Sequence, residues 1–318
     1  MTKQFKKGEV IFREGEMGDT LYQIEEGTVS IYAAYEEKEQ QLLTQLGKGK
    51  IFGEMAVVEA YPRSATAVAE DDVTVLEVES SEVADFFKTN PDRIMDIMKS
   101  LSGRLRSLTA DYSDVSNTVS QIRNSADKEF GGALADLIIR FATAYKRNKA
   151  INKLSVEADR ILSQNGHSEG YAVKVEDFDK GQIIFKEGEV GDCMYDIHSG
   201  TIGIYEGYGT SDEKLLTKLN SNMFFGELGM IDKVERSCTA VVMENNTTLE
   251  IITESDIKEL FEKNPAKVQM ILEHLSYRVR HLTSEYMNAC KVIYRVNEAK
   301  NKGDIDEGLK SEVKKCND

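Results

Sequence analysis

Two short stretches of the chain combine residue types suited to holding a small oxyanion. The first reads Phe52-Gly53-Glu54-Met55-Ala56-Val57, followed by Pro62-Arg63-Ser64-Ala65-Thr66. An arginine fork matches the oxygens of such an anion, with charge-assisted hydrogen bonds worth about 1.5–3 kcal/mol. Gly53 lets the main chain approach closely. A short helix after it would aim the free N–H groups of Glu54, Met55 and Ala56 at the negative charge. Glu54, when ionised, is a pure acceptor and suits a ligand hydroxyl. Ser64 and Ala65 offer a hydroxyl and a main-chain N–H beside Arg63. The second stretch reads Phe225-Gly226-Glu227-Leu228-Gly229-Met230, then Glu235-Arg236-Ser237-Cys238-Thr239. It keeps Gly226, Glu227 and Arg236 but has Glu235 where the first has Pro62, a carboxylate placed to divert Arg236 or weaken an anion site.

The elements that must position these residues are themselves duplicated. Gly8, Phe12, Glu14, Gly15, Gly18, Asp19, Tyr22, Gly27 and Tyr32 recur as Gly181, Phe185, Glu187, Gly188, Gly191, Asp192, Tyr195, Gly200 and Tyr205, always 173 residues on. The register holds through Gly53/Gly226 and Arg63/Arg236, then slips by one residue to 174 at Asn90/Asn264 and Thr109/Thr283. So long a register points to duplication of a whole domain. Within each copy, short runs such as Val10-Ile11-Phe12, Leu21 to Ile24 and Thr28 to Tyr32 are rich in β-branched and aromatic residues, glycines punctuate them, and Ala65 to Val68 and Val73 to Val78 supply further strands. That pattern predicts a small barrel or rolled sheet, not a parallel α/β sheet. The period then changes to about 3.6. Asn90-Pro91 and Asn264-Pro265 read as helix starts. Ile94, Ile97, Met98, Leu101, Leu105 and Leu108 form one apolar stripe, and Val268, Ile271, Leu272, Leu275, Val279 and Leu282 the other.

The expected layout is residues 1–112 as one domain with its trailing helix, 113–170 as a helical connector, 171–296 as the second domain with its helix, and 297–318 as a fraying tail. In the connector, Leu134, Leu137, Ile138, Phe141 and Tyr145 mark one helix face. Ile151, Leu154, Ala158, Ile161 and Leu162 mark another, which Asn165-Gly166 would end. The fold class is α+β: two β-rolls of jelly-roll type, each followed by a long helix. The shared apolar stripe suggests an intramolecular pseudo-dimer, or a homodimer, through those helices.

The two stretches resemble the phosphate-binding cassette of the cyclic-nucleotide-binding domain family, in which F-G-E and an apolar residue precede a short helix and then P-R-[Ala/Ser/Thr]-A. The glycines of the roll and the trailing helix agree over about 110 residues in each half. The resemblance implies a ligand whose ribose is bridged by a cyclic phosphate, with Arg63 and Arg236 on the phosphate and Glu54 and Glu227 on the ribose 2′-hydroxyl. The catabolite-activator branch tolerates E-R-S in the second cassette, and its base contact comes from a hydroxyl on the long helix, the position of Thr109 and Thr283. Tyr112 and Tyr286 fit either a base or a core. Ser64 and Ser237 stand where cGMP-selective relatives tend to carry Thr, so cAMP is favoured over cGMP. Tandem domains also resemble the regulatory subunit of cAMP-dependent protein kinase. This chain departs from it in its N-terminal segment and in the length of its connector.

Composition bounds the alternatives. The chain has 318 residues and a formal net charge of −15, which repels a polyphosphate backbone unless basic residues are segregated. The clearest basic cluster, Lys146, Arg147, Lys149 and Lys153, reads as a solvated helix face. No run reaches the roughly 18 apolar residues of a membrane helix, and no apolar leader core is visible. Cys193, Cys238, Cys290 and Cys316 lack paired spacing and read as free thiols, which suits the cytoplasm. His274 and His281 share a helix spacing but have no carboxylate pattern for a metal. The reading is therefore a cyclic-mononucleotide sensor, with no catalysis, cofactor or metal, that repositions its trailing helices and regulates a protein partner. Two alternatives remain open. One is a transcription regulator with a non-standard DNA-binding element, for which the stretch after Val296 is too short to form the usual winged helix-turn-helix. The other is a scaffold for an altered ligand such as a cyclic dinucleotide.

Overall fold

The computed structural model describes residues 1–37, 40–54, 63–124, 132–148 and 171–302. Met55, Ala56, Pro62, Lys149, Lys153, Cys316, the second expected connector helix with Asn165-Gly166 and the tail from 303 lie outside the described residues.

The first repeat forms β1 (Thr2–Phe5), β2 (Val10–Phe12), β3 (Thr20–Glu26), β4 (Val29–Ala33), β5 (Gln41–Leu46), β6 (Ile51–Phe52), β7 (Thr66–Ala69) and β8 (Val73–Glu79). They make two four-stranded antiparallel sheets, β1-β8-β3-β6 and β2-β7-β4-β5. One inner face carries Tyr22, Ile24, Phe52, Val73 and Val75. It closes on Val29, Ile31, Ala67 and Ala69 of the other sheet. These residues alternate along their strands because successive side chains point to opposite faces.

After the roll come α1 (Val83–Thr89), α2 (Asp92–Asn124) and α3 (Ala133–Asn148). The helix trailing the first roll thus continues past residue 112, where the connector was expected to begin. Asn90 serves both neighbours: its side-chain amide donates to the Phe86 carbonyl at 3.0 Å and closes α1, and its carbonyl accepts from the Arg93 N–H at 3.0 Å at the start of α2.

The second repeat rebuilds the same roll from β9 (Val175–Phe178), β10 (Ile183–Phe185), β11 (Cys193–Ser199), β12 (Ile202–Glu206), β13 (Lys214–Leu219), β14 (Phe224–Phe225), β15 (Thr239–Val242) and β16 (Thr247–Thr253). Its sheets are β14-β11-β16-β9 and β10-β15-β12-β13. Between β14 and β15 runs α4 (Glu227–Asp232), and α5 (Asp256–Lys263) and α6 (Pro265–Lys302) follow β16. Helix α6 covers residues 297–302, where a fraying tail was expected.

The described residues form two compact units. One holds Met1–Ser80, α2 from Arg104, α3, and α6 from Ser276; the other holds Ser81–Gly103 and the second repeat through Leu275. In the first unit, Val115, Val119 and Ile122 of α2 share a core with Ile138 and Phe141 of α3 and with Ala289, Cys290, Ile293 and Val296 of α6. In the second, the ring of Phe87 on α1 meets that of Phe261 on α5 edge-on, with centroids 6.1 Å apart. No helix of the described residues is long and apolar enough to cross a membrane.

Candidate functional site

In the first roll the sequence Arg63-Ser64-Ala65 leads directly into β7, and the main chain of Arg63 is pinned before its side chain is considered. Its N–H donates to the Glu16 carbonyl at 2.8 Å, and its own carbonyl accepts from the Gly15 N–H at 2.9 Å. The side chain turns inward and is only 4% exposed. Nη1 donates to the Gly53 carbonyl at 2.8 Å. The guanidinium carbon lies 4.2 Å above the Phe12 ring and 5.7 Å from that of Tyr22, an arrangement that gains cation–π attraction when desolvated. Burial pulls the Arg63 guanidinium below its ordinary value, with Tyr22 and then Asp19 opposing the shift. Burial likewise pushes the Tyr22 phenol up to about 12. Gly53 has φ +77°, a left-handed conformation that glycine adopts without strain. Glu54 is 5% exposed, and its Oε1 lies 3.6 Å from Nη1 of Arg104 on α2.

The second roll repeats this frame. Arg236 N donates to the Glu189 carbonyl at 2.7 Å, and the Arg236 carbonyl accepts from Gly188 N at 2.9 Å. The side chain is 6% exposed. Its Nη1 donates to the Gly226 carbonyl and its Nη2 to the Cys193 carbonyl at 2.7 Å. The guanidinium carbon stands 4.3 Å over Phe185. Gly226, at φ +75°, starts α4, and Glu227 is the first residue of that helix and is 1% exposed. Glu235 is exposed and bridges Val190 through its main chain. Arg236 spends its forked end on the carbonyls of Gly226 and Cys193, so Glu235 is not what orients it.

Each site thus gathers a glycine carbonyl, a buried glutamate and a buried arginine over an aromatic ring. Such a set can bind an anion that also carries a hydroxyl, because the guanidinium supplies charged donors and the carboxylate an acceptor. Leu228 is half-buried and Gly229 buried. Ser64 and Ser237 are exposed, Ala65 is buried and Cys238 half-buried. Cys193, Cys238 and Cys290 are free, and burial raises all three thiols.

Both helix hydroxyls donate to the main chain of their own helix and keep their acceptor lone pairs. Thr109 Oγ1 donates to the Leu105 carbonyl at 2.8 Å and Thr283 Oγ1 to the Val279 carbonyl at 2.6 Å, one helical turn back in each case. Tyr112 and Tyr286 pack against the α2–α3–α6 core, and Tyr286 meets Phe141 edge-on at 6.4 Å. His274 lies against Phe224 and His281 stacks on Tyr277. Lys146 pairs with Glu298 at 3.9 Å.

Sequence reasoning did not single out Arg104 as the partner of Glu54, because fifty residues separate them. It also passed over Phe12, Tyr22 and Phe185 as the rings beneath the arginines, although their recurrence in the repeat was the available signal.

The family model described as "Cyclic nucleotide-binding domain" matches residues 2–90 and again 175–264. The cAMP-dependent protein kinase regulatory subunit of Debaryomyces hansenii is 27% identical over 245 residues, covering 76% of this chain and 41% of that protein. The cGMP-dependent protein kinase of Toxoplasma gondii is 26% identical over 240 residues, covering 76% of this chain and 18% of that protein. The CRP-like cAMP-activated global transcriptional regulator of Mycobacterium tuberculosis is 28% identical over 120 residues, covering 36% of this chain and 54% of that protein. The chain therefore spans less than half the length of the two kinase-related proteins. Among solved structures, the cAMP-bound PfPKA-R is 21% identical, with a TM-score of 0.32, and the match covers 98% of this chain and 83% of that one.

Proposed function

The chain belongs to the cyclic nucleotide-binding domain family and carries that domain twice; from this premise we propose that it is a cAMP sensor that regulates a protein partner and performs no catalysis itself. The observation that carries the reading is the repeated set of Gly53, Glu54 and Arg63 against Gly226, Glu227 and Arg236, with both arginines and both glutamates buried.

A cyclic phosphate would take over Nη1 donors that now serve the Gly53 and Gly226 carbonyls. A ribose hydroxyl on Glu54 would compete with Arg104, which links the first cassette to α2. Ligand binding then shifts that helix only through its different affinity for the two arrangements. Ser64 and Ser237 favour cAMP over cGMP. The names of the regulatory-subunit relatives support a protein kinase as the class of partner.

Calorimetric titration of nucleotide-stripped protein with cAMP, then cGMP, tests the reading. Two equivalents of cAMP are expected, one being lost in each of Arg63→Ala and Arg236→Ala. No heat with either nucleotide, together with no co-purifying ligand by mass spectrometry, would overturn it.

A further inference from the structure

Away from the cassettes, the second roll buries a compact charged cluster. Asp196 on β11 and Glu250 on β16 stand directly opposite each other in the sheet register, 3% and 0% exposed. Like charges facing across adjacent strands repel, and a low-dielectric interior strengthens that repulsion. The ammonium of Lys267, in the first turn of α6, lies between them. It is 3.0 Å from Asp196 Oδ2 and hydrogen-bonds Glu250 Oε2, and Lys267 is itself 3% exposed. At the rim, His198 Nε2 lies 3.0 Å from Glu250 Oε2 and 3.5 Å from Asp196 Oδ2. The Val173 N–H donates to Glu250 Oε1 at 2.9 Å.

Asp196, His198 and Glu250 have the composition of a metal site, with ligand atoms within 4.8 Å of one another. The Lys267 ammonium already stands among the carboxylates, so the cluster is built around a cation that the chain supplies. The first roll has no such need. There the opposed strand pair is Gln23 and Leu76, and the helix residue matching Lys267 is Arg93, which pairs with Asp96 at 2.8 Å.

We propose that Lys267 is a latch, a positioning residue that fixes the first turn of α6 on the second roll. Lifting that turn away would leave two facing buried carboxylates without their cation, a far larger penalty than loss of apolar contact alone. In the sensor proposed above, the start of α6 is then a fixed point, and ligand-driven movement is carried by α4 and by later turns of α6. That consequence rests on the sensor reading; the latch does not.

Amide hydrogen exchange of residues 265–272 in the full chain, without nucleotide, tests the latch. Lys267→Met is expected to speed exchange there about tenfold or more. Because that variant buries two facing carboxylates without the lysine and can fail to fold, the neutral triple variant Asp196→Asn/Glu250→Gln/Lys267→Met provides a second arm. It removes the charges of all three residues and is expected to unfold cooperatively, to keep slow exchange in β11 and β16, and to exchange faster at 265–272. Native-like protection of 265–272 in either folded variant would overturn the latch. Adding cAMP separates the two readings. Exchange at 265–272 is expected not to respond in the native chain and to become ligand-dependent in the triple variant. If calorimetry shows no nucleotide bound, the sensor reading falls and the ligand-free comparison still decides the latch.

Discussion

Gly18 lies directly against the side chain of Arg63: a Cβ on that glycine would stand 2.3 Å from the arginine Nε. The second roll has the same close approach between Gly191 and Arg236, but there a Cβ would also lie 2.5 Å from the Cα of Gly229. The two glycines therefore differ in what an added methyl would have to move. Among the described residues, the nearest atoms at Gly18 belong to the guanidinium of Arg63; at Gly191 they belong to the main chain of Gly229.

Gly18→Ala is accordingly expected to displace Arg63 with a smaller stability loss than Gly191→Ala, while first-site affinity falls roughly tenfold or more as the guanidinium hydrogen bond is misplaced. Gly191→Ala is expected to cost about 1–3 kcal/mol through forced backbone movement and to weaken the second site as well. Calorimetry and urea unfolding of both variants check the contrast. Equal stability losses would show that the backbone around Gly229 yields as easily as an arginine side chain.

The cassettes were legible because their chemistry is contiguous: glycine, glutamate and arginine fall within a dozen residues, and the runs 10–12, 21–24, 28–32, 65–68 and 73–78 are set off by glycines or by apolar content. What sequence could not supply was anything set by return of the chain from afar. Arg104 meets Glu54, and Lys267 meets Asp196 and Glu250, across separations that follow no spacing rule. The Asn-Pro pairs show the limit at short range too. Each Asn also closes the helix before it, Asn90 N–H on the Phe86 carbonyl and Asn264 N–H on the Leu260 carbonyl, and Asn264 Oδ1 accepts from the Lys267 N–H at 3.4 Å at the start of α6. Thr109 and Thr283 offered hydroxyls at matched positions, but a threonine within a helix can satisfy its donor on the carbonyl four residues back.

Ser102 is fully buried, and its hydroxyl donates to Asp232 Oδ2, on the last residue of α4. A hydrogen bond to a carboxylate in such a place contributes about 1.5–3 kcal/mol. Ser102→Ala is expected to lower the urea unfolding free energy by that amount, and Asp232→Asn by less, since the amide oxygen still accepts. A loss near zero for Ser102→Ala would mean that the end of α4 is held by other contacts.

Phe141 is fully buried where α2, α3 and α6 share one core. Removing a phenyl ring from such a site costs about 3–5 kcal/mol. Phe141→Ala is expected to lower the urea midpoint by a corresponding amount, and Phe141→Leu to restore most of it. If alanine is tolerated with a loss below about 1 kcal/mol, the three helices collapse around the space more readily than a packed core allows.

His274 supplies a pH dependence whose sign can be fixed in advance. Its ring lies 5.7 Å from that of Phe224, and its Nε2 is buried with no hydrogen-bond partner among the described residues. Burial pulls the imidazole down to about 4. In the unfolded chain it takes up a proton as pH falls through about 6.5, while in the fold it stays neutral until about 4. Between those values the unfolded state binds more protons, so stability falls as pH falls, with no further loss from this group below about 4. The full window corresponds to a loss of about 3 kcal/mol. His274→Leu removes the titrating group and keeps an apolar side chain. The variant is expected to match the native chain within about 1 kcal/mol at pH 8 and to exceed it increasingly towards pH 5, as read by urea unfolding at both pH values. Acidic groups common to the two proteins cancel in that difference. A difference that does not change with pH would show that His274 takes its proton as readily in the fold as out of it.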